Sequence, residues 1–329
     1  MRSRVGLASS KAGWIFGVSS NMRIVSFLPS ATEIVGLLGL AEDLVGVSHE
    51  CDYPSEVKGK PVVVRCAVDM DAMSDRERDV MVSQILRDGG TLYKVDETLL
   101  RKLDPDLILT QDLCQVCAPS GNEVSVVLKT LARKPEILWL TPKNLADIFG
   151  NILEVGHAIK RVDQAEEAIK KLKRRVEGVA ERTKKIKSHP KVFLMEWFDP
   201  VYCGGHWVSE LVELAGGYDK LARKGTDSVR IDWQEVRDWA PEVLVLSPCG
   251  YHVRQTVQRA QVLPLLPGWN ELPACKLGQV YAVDAQSYFA RPGPRIVGGL
   301  ELLAHLIHPE EFDWHGPQDA YERFIPNAC

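Results

Sequence analysis

"RIVSFLPSATEIVGLLGLAEDLVGVS", residues 23–48, carries the fold class. Residues 23–27 form a short, mostly apolar run that predicts a strand. Pro29 opens a turn, and Ser30 or Thr32 can offer a side-chain oxygen to the unpaired N–H groups of a helix start. "EIVGLLGL" is that helix, and Gly39 closes it. "DLVGVS" is the next strand. A strand–helix–strand unit of this length favours parallel pairing, because the crossover returns the chain to the same end of the sheet.

The second half opens in the same order. "KVFLMEW" from Lys191 predicts a strand, "FDPVYCGGHW" a loop, and "VSELVELAGG" a helix ended by Gly216 and Gly217. A second pair of segments agrees. "LRKLDPDLILTQDLC" (100–114) and "VRDWAPEVLVLSPCG" (236–250) each give a helix end, a proline, an acidic residue, a buried strand and a polar loop with a cysteine. Two such matches in the same order predict two α/β lobes of related, Rossmann-like topology.

Between them, residues 142–190 contain no proline between Pro142 and Pro190, and apolar residues recur at helical spacing: Leu145, Ile148, Ile152, Val155 and Ile159, then Ala165, Ile169, Leu172, Val176 and Val179. The pattern predicts a single long linker helix, with Arg161–Asp163 as the place where it would break. The expected divisions are an extension at 1–22, an N-terminal lobe at 23–141, the linker helix at 142–190 and a C-terminal lobe at 191–329.

The totals suit this plan. The 329 residues are 45% hydrophobic and 26% charged, with a formal net charge of −4. That balance gives no reason to expect nucleic acid, and no apolar run reaches the roughly 20 residues needed to span a bilayer. Eight cysteines in a chain with an ordinary core read as free thiols. Residues 1–22 have no A-x-A-like cleavage site and a short apolar part, so Met22 reads as the natural start and a cytoplasmic location is expected. A periplasmic location is the alternative, should residues 1–22 act as a degenerate signal.

The order "RIVSFLPSATEIVGLLGL…LVGVS…DYP", "LDPDLIL", a long helix and "KVFL…GHWVSELVELAGG" resembles the helical-backbone substrate-binding proteins of ABC importers, and among them the cobalamin-binding branch. "RPGPRIVGGLELLAHLIHPE" (291–310) fits their closing helix. The resemblance covers about Met22 to Pro309. It implies a ligand cleft between the lobes, lined by loops at the strand ends, and a permease partner. Physical reasoning places ligands of open α/β sheets at the same strand ends.

Those loops carry a concentrated set of polar and aromatic residues: His49, Glu50, Cys51 and Asp52; Gln111 and Asp112, with Cys114 and Cys117; Glu196 and Trp197; His206 and Trp207; Tyr251; and Tyr288 with Arg291. His49, Cys51, Cys114, Cys117, Glu196 and His206 are the candidate metal ligands, since thiolate, imidazole and carboxylate suit zinc or iron as well as the metal of a complex. A solvated loop, packed aromatics and buried small thiols are the structural alternatives. The pattern departs from the cobalamin branch at Glu50, where the family presents an aromatic ring, and at Arg65 and Cys66, near its tryptophan. The family's permease-docking glutamates align with Thr98 and Gln234, one residue from Glu97 and Glu235. "SDRERDVMVSQILRDGG" (74–90) is an added helical segment whose alternating charges predict a solvated face.

Two functions follow. One is a binding protein that closes over cobalamin or another metal complex; the other is a cytoplasmic metal-binding protein on the same fold. No G-x-S-x-G, P-loop or G-x-G-x-x-G motif argues for an enzyme.

Overall fold

The computed structural model describes residues 22–111, 128 and 131–326. Two sheets organise it. The first is six-stranded, built from β1 (Ile24–Ser26), β2 (Leu44–Ser48), β3 (Val62–Cys66), β4 (Tyr93–Val95), β5 (Leu107–Thr110) and β6 (Glu136–Trp139), in the order β4-β3-β2-β1-β5-β6. All neighbours are parallel except β3 and β4. The second is five-stranded, with β7 (Val192–Trp197), β8 (Tyr202–Cys203), β9 (Val243–Leu246), β10 (Val280–Val283) and β11 (Tyr321–Arg323) in the order β11-β10-β9-β7-β8. Its three inner strands are parallel and both edge strands antiparallel. The strand–helix–strand reading of residues 23–48 holds: α1 (Pro29–Leu37) joins parallel β1 and β2.

The linker differs from the single helix expected. It is two helices, α4 (Leu145–Ala158) and α5 (Val162–Thr183), with α2 (Asp75–Arg87) and α3 (Glu97–Leu103) preceding them in the first lobe. Lys160 adopts a left-handed φ of 57°. The Arg161 N–H reaches back to the Gly156 carbonyl at 2.7 Å and the Lys160 N–H to that of His157 at 3.2 Å, which ends α4 in a Schellman motif. Gly156 makes the corner possible: a Cβ there would lie 2.6 Å from the Ala165 methyl. The 22 residues of α5 form the longer arm, about 33 Å at 1.5 Å per residue.

The second lobe adds α6 (Val208–Leu214), α7 (Trp233–Trp239), α8 (Val253–Arg259), α9 (Pro273–Leu277), α10 (Ala285–Tyr288) and α11 (Ile296–Ile307). One apolar cluster runs through both lobes, from Ile24, Ile34 and Ile152 through Leu172 to Leu194, Leu211 and Leu303. Separate clusters fill the outer face of each sheet, around Val63 and Leu100 in the first lobe and Phe193 and Trp269 in the second. The lobes are therefore joined by shared packing as well as by chain.

The segment 74–90 does form a helix, α2, opened by a Ser74–Glu77 capping box. Its charged face is solvated only in part: Arg76, Glu77 and Arg87 are exposed as expected, while Asp75 is buried and Asp79 nearly so. The face is turned onto the second lobe, where Arg76 grips Asp199 through two hydrogen bonds of 3.0 and 2.7 Å.

Candidate functional site

The loops that leave the strand ends meet between the lobes in two adjoining zones. The first is a charged network. Arg291, 5% exposed, donates to Asp52 Oδ1 at 2.5 Å and to the Glu50 carbonyl at 2.7 Å, and lies 3.6 Å from Glu33. Arg295 donates to Glu33 Oε1 at 2.6 Å, and its guanidinium lies 4.5 Å from the centre of the Tyr53 ring. Local geometry explains these positions. Glu33 projects from α1, Asp52 and Tyr53 from the loop after β2, and both arginines from the turn that opens α11. Burial raises the Glu33 carboxyl above its usual pKa even though two arginines oppose the shift. Three polar atoms of this network are buried and make no hydrogen bond: Glu33 Oε2, Arg291 Nε and Arg295 Nε.

His252 joins the network from the loop after β9. Its Nδ1 lies 3.0 Å from Asp284 and its Nε2 4.0 Å from Asp52. The hydrogen bond to Asp284 raises the imidazole pKa, outweighing burial. A cavity of about 1020 Å³ adjoins the network, and its walls include Glu33, Tyr53, Asp284, Tyr288 and Arg295.

The second zone lies on the strand ends of the second lobe, under α2. Trp197 and Tyr251 face each other with ring centres 5.5 Å apart. The Trp197 Nε1 donates to the Asp75 carbonyl at 3.2 Å and the Tyr251 hydroxyl to Asp75 Oδ1 at 2.9 Å. Tyr251 and His252 are consecutive residues, so the two zones adjoin.

The remaining sequence candidates fall in different places. His49 is exposed and close to Tyr93. The Cys51 thiol meets Thr32 Oγ1 at 3.0 Å, and burial pushes its pKa up to about 11, which disfavours the thiolate a metal needs. Gln111 is buried at the end of β5. Glu196 turns into its own lobe, accepting from the Gly205 N–H at 2.9 Å, and burial raises its carboxyl to about 7. His206 pairs with Asp227 at 3.0 Å and stacks on Trp207, whose Nε1 donates to the Phe289 carbonyl. Asp112, Cys114 and Cys117 lie outside the described residues. Among the described residues, no three His, Cys, Asp or Glu side chains gather closely enough to hold a metal ion directly. Sequence reading missed Glu33, Tyr53 and Asp284 as members of the site, and set His252 and Arg295 among the cleft-facing loops without choosing them as candidates. The motifs "SATE", "DYP" and "RPGPR" contain three of these five.

Residues 24–287 match the family model described as periplasmic binding protein. The chain belongs to the periplasmic binding protein family. This periplasmic binding protein is 26% identical over 298 residues to the ABC transporter substrate-binding lipoprotein YvrC of Bacillus subtilis, covering 88% of this chain and 81% of the relative. It is 24% identical over 291 residues to the vitamin B12-binding protein of Vibrio cholerae, covering 87% and 88%. Its fold matches a periplasmic haem-binding protein from Pseudomonas aeruginosa with a TM-score of 0.71, at 16% identity, covering 94% of this chain and 99% of the other.

The protein is thus a substrate-binding protein of the ABC-importer type, and its relatives are binding proteins rather than enzymes. The cytoplasmic location expected from residues 1–22 is corrected by these findings. The relatives are lipoprotein or periplasmic components, and an importer receives its ligand from the outer side of the membrane, which points to the periplasm or the cell exterior. Among the described residues, no helix is long and apolar enough to cross a membrane.

Proposed function

We propose that this binding protein captures a planar, anionic metal complex of the tetrapyrrole class between its lobes and passes it to an ABC permease. The observation that carries the reading is the set of unpaired atoms in the network. Two buried arginine Nε–H donors and one buried carboxyl oxygen without partners are costly unless a ligand or ordered water completes them. Arginine is suited to a carboxylate or phosphate arm of such a ligand, with Asp52 as the internal group that the arm replaces. Tyr53 and Tyr288 offer ring faces beside the same cavity.

His252 supplies a metal-facing donor. Its Nδ1 is engaged by Asp284, the arrangement that orients an imidazole and leaves Nε2 for a metal. A complex with an open axial position therefore suits the site better than a bare ion. The same reading gives acidic helix starts a docking role. Asp96 and Glu97 open α3 in one lobe, and Asp232 and Glu235 open α7 in the other.

The test is equilibrium titration of the purified protein with haemin and with cyanocobalamin, followed by absorption spectra of the complexes. Micromolar or tighter binding of haemin supports the reading; binding of cyanocobalamin alone, a neutral complex with both axial positions filled, supports a tetrapyrrole ligand but rejects the anionic arm and the axial histidine. A haemin complex whose imidazole-type spectrum disappears in His252→Ala and returns with added imidazole supports the axial role. Absence of binding by both compounds rejects the proposed ligand class.

A further inference from the structure

Helix α2 spans the gap between the lobes and lies on the aromatic pair that a flat ligand would need. Its inner edge is held on the first lobe by Val82 and Ile85, which pack against the cluster around Val63. Its other edge meets the second lobe through hydrogen bonds and ion pairs. Asp79 meets Arg230 at 2.7 Å and the Tyr202 hydroxyl at 3.0 Å, and Ser83 accepts from Arg230 at 3.1 Å. Arg76 is paired with Asp199, and Arg259 donates to the Asp71 carbonyl at 3.3 Å. Arg78 lies over the Tyr251 ring, 5.5 Å from its centre.

We propose that α2 is a strap that closes the cleft on itself, and that a ligand reaches Trp197 and Tyr251 only by displacing it. The ligand half of this inference rests on the function proposed above; the strap itself does not.

The asymmetry between the two edges makes the strap releasable. The exposed Arg76–Asp199 pair exchanges for water with little net change, whereas the buried Tyr251–Asp75 bond and the apolar anchor hold more firmly. Covering the pair also leaves groups poorly served. The Arg78 Nε is buried without a hydrogen bond, and burial raises the Asp75 carboxyl above its usual pKa. A flat ring that stacks on Trp197 and Tyr251 would exchange the Arg78 and Asp75 contacts of α2 for aromatic ones. The strap consequently acts as a specificity filter. A small anion can engage Arg291 and Arg295 without lifting α2, while a broad aromatic chelate occupies both zones.

Amide hydrogen exchange on the full chain tests this. In the double variant Arg76→Ala, Asp79→Ala, exchange across 75–87 and 197–203 should rise at least tenfold, with β9 and β10 unchanged. The reversed pair Asp79→Arg, Arg230→Asp should restore protection, which separates loss of the latch from loss of folding. In the wild-type protein, saturating haemin or cyanocobalamin should raise exchange across 75–87, and association should be several-fold faster with the alanine variant. Unchanged exchange in the alanine variant, or an α2 that stays protected with a probe bound, overturns the strap. A loosened α2 in the variant, with neither probe bound by any form, supports the strap and rejects the ligand class instead.

Discussion

Arg291 and Asp52, 239 positions apart in sequence and on opposite lobes, are joined by a hydrogen bond of 2.5 Å. The arginine is nearly fully buried while the carboxylate keeps contact with solvent. The pair therefore locks the lobes at one point and still leaves the acid free to be exchanged for a ligand group.

Replacing Arg291 with alanine should destabilise the protein by about 3–5 kcal/mol, the range for removing one partner of a buried pair, because Glu33 then loses a neighbouring cation in a closed site. Thermal unfolding of the variant beside Asp52→Ala checks this. The Asp52 change should cost less, since that side chain is 43% exposed.

Glu196 gives the protein a specific pH dependence. Its folded pKa, about 7, lies above the ordinary 4.5, so the folded state binds more protons than the unfolded state between these values. The contribution is fully present below about pH 4.5 and is lost as the pH rises through about 7. Glu196→Gln removes the buried charge and keeps an oxygen for the Gly205 N–H. At pH 8 it should be more stable than wild type by on the order of 2 kcal/mol, with little difference at pH 4.5. Urea unfolding at both pH values reads the change.

Cys51 and Cys249, on strand-end loops of the two lobes, should differ in reactivity. Cys51 is protected by burial, which raises its pKa to about 11, whereas Cys249 is exposed. Alkylation with iodoacetamide at pH 8, followed by peptide mass spectrometry, should label Cys249 at least about tenfold faster than Cys51.

Two glycines of the linker should respond oppositely to alanine. Gly156 has the Ala165 methyl 2.6 Å from where a Cβ would go, so Gly156→Ala should cost about 1–3 kcal/mol through overpacking at the helix corner. Gly178 lies within α5 with nothing inside 4 Å of that point, and Gly178→Ala should stabilise by up to about 1 kcal/mol. Chemical unfolding of the two variants decides both.

The lobes were legible because strand and helix periods are local properties. Residues 23–48 contain the first β-α-β unit complete; after Lys191 a strand and a helix also follow one another, but the short antiparallel strand β8 stands between them where a plain loop was expected. The corner at Lys160 was only approximately legible. It depends on the contact between Gly156 and Ala165, and both residues also fit an uninterrupted helical stripe. The site was less readable still. His252 falls on a cleft-facing loop in the sequence, but its role was not legible because its orientation comes from Asp284 on a different element; Glu33 was missed because a carboxylate within an apolar helix pattern gives no sign that two distant arginines meet it. The charges of α2 suggested water as their partner. Only the fold shows Asp199 and Arg230 waiting opposite them.

The apolar cluster that passes from Ile34 through Leu172 to Leu303 has a consequence for cooperativity. Each half, taken by itself, would present its share of that cluster to water. The halves should therefore melt together in one transition, and a chain cut at the α4–α5 corner should recover its structure only when both fragments are present.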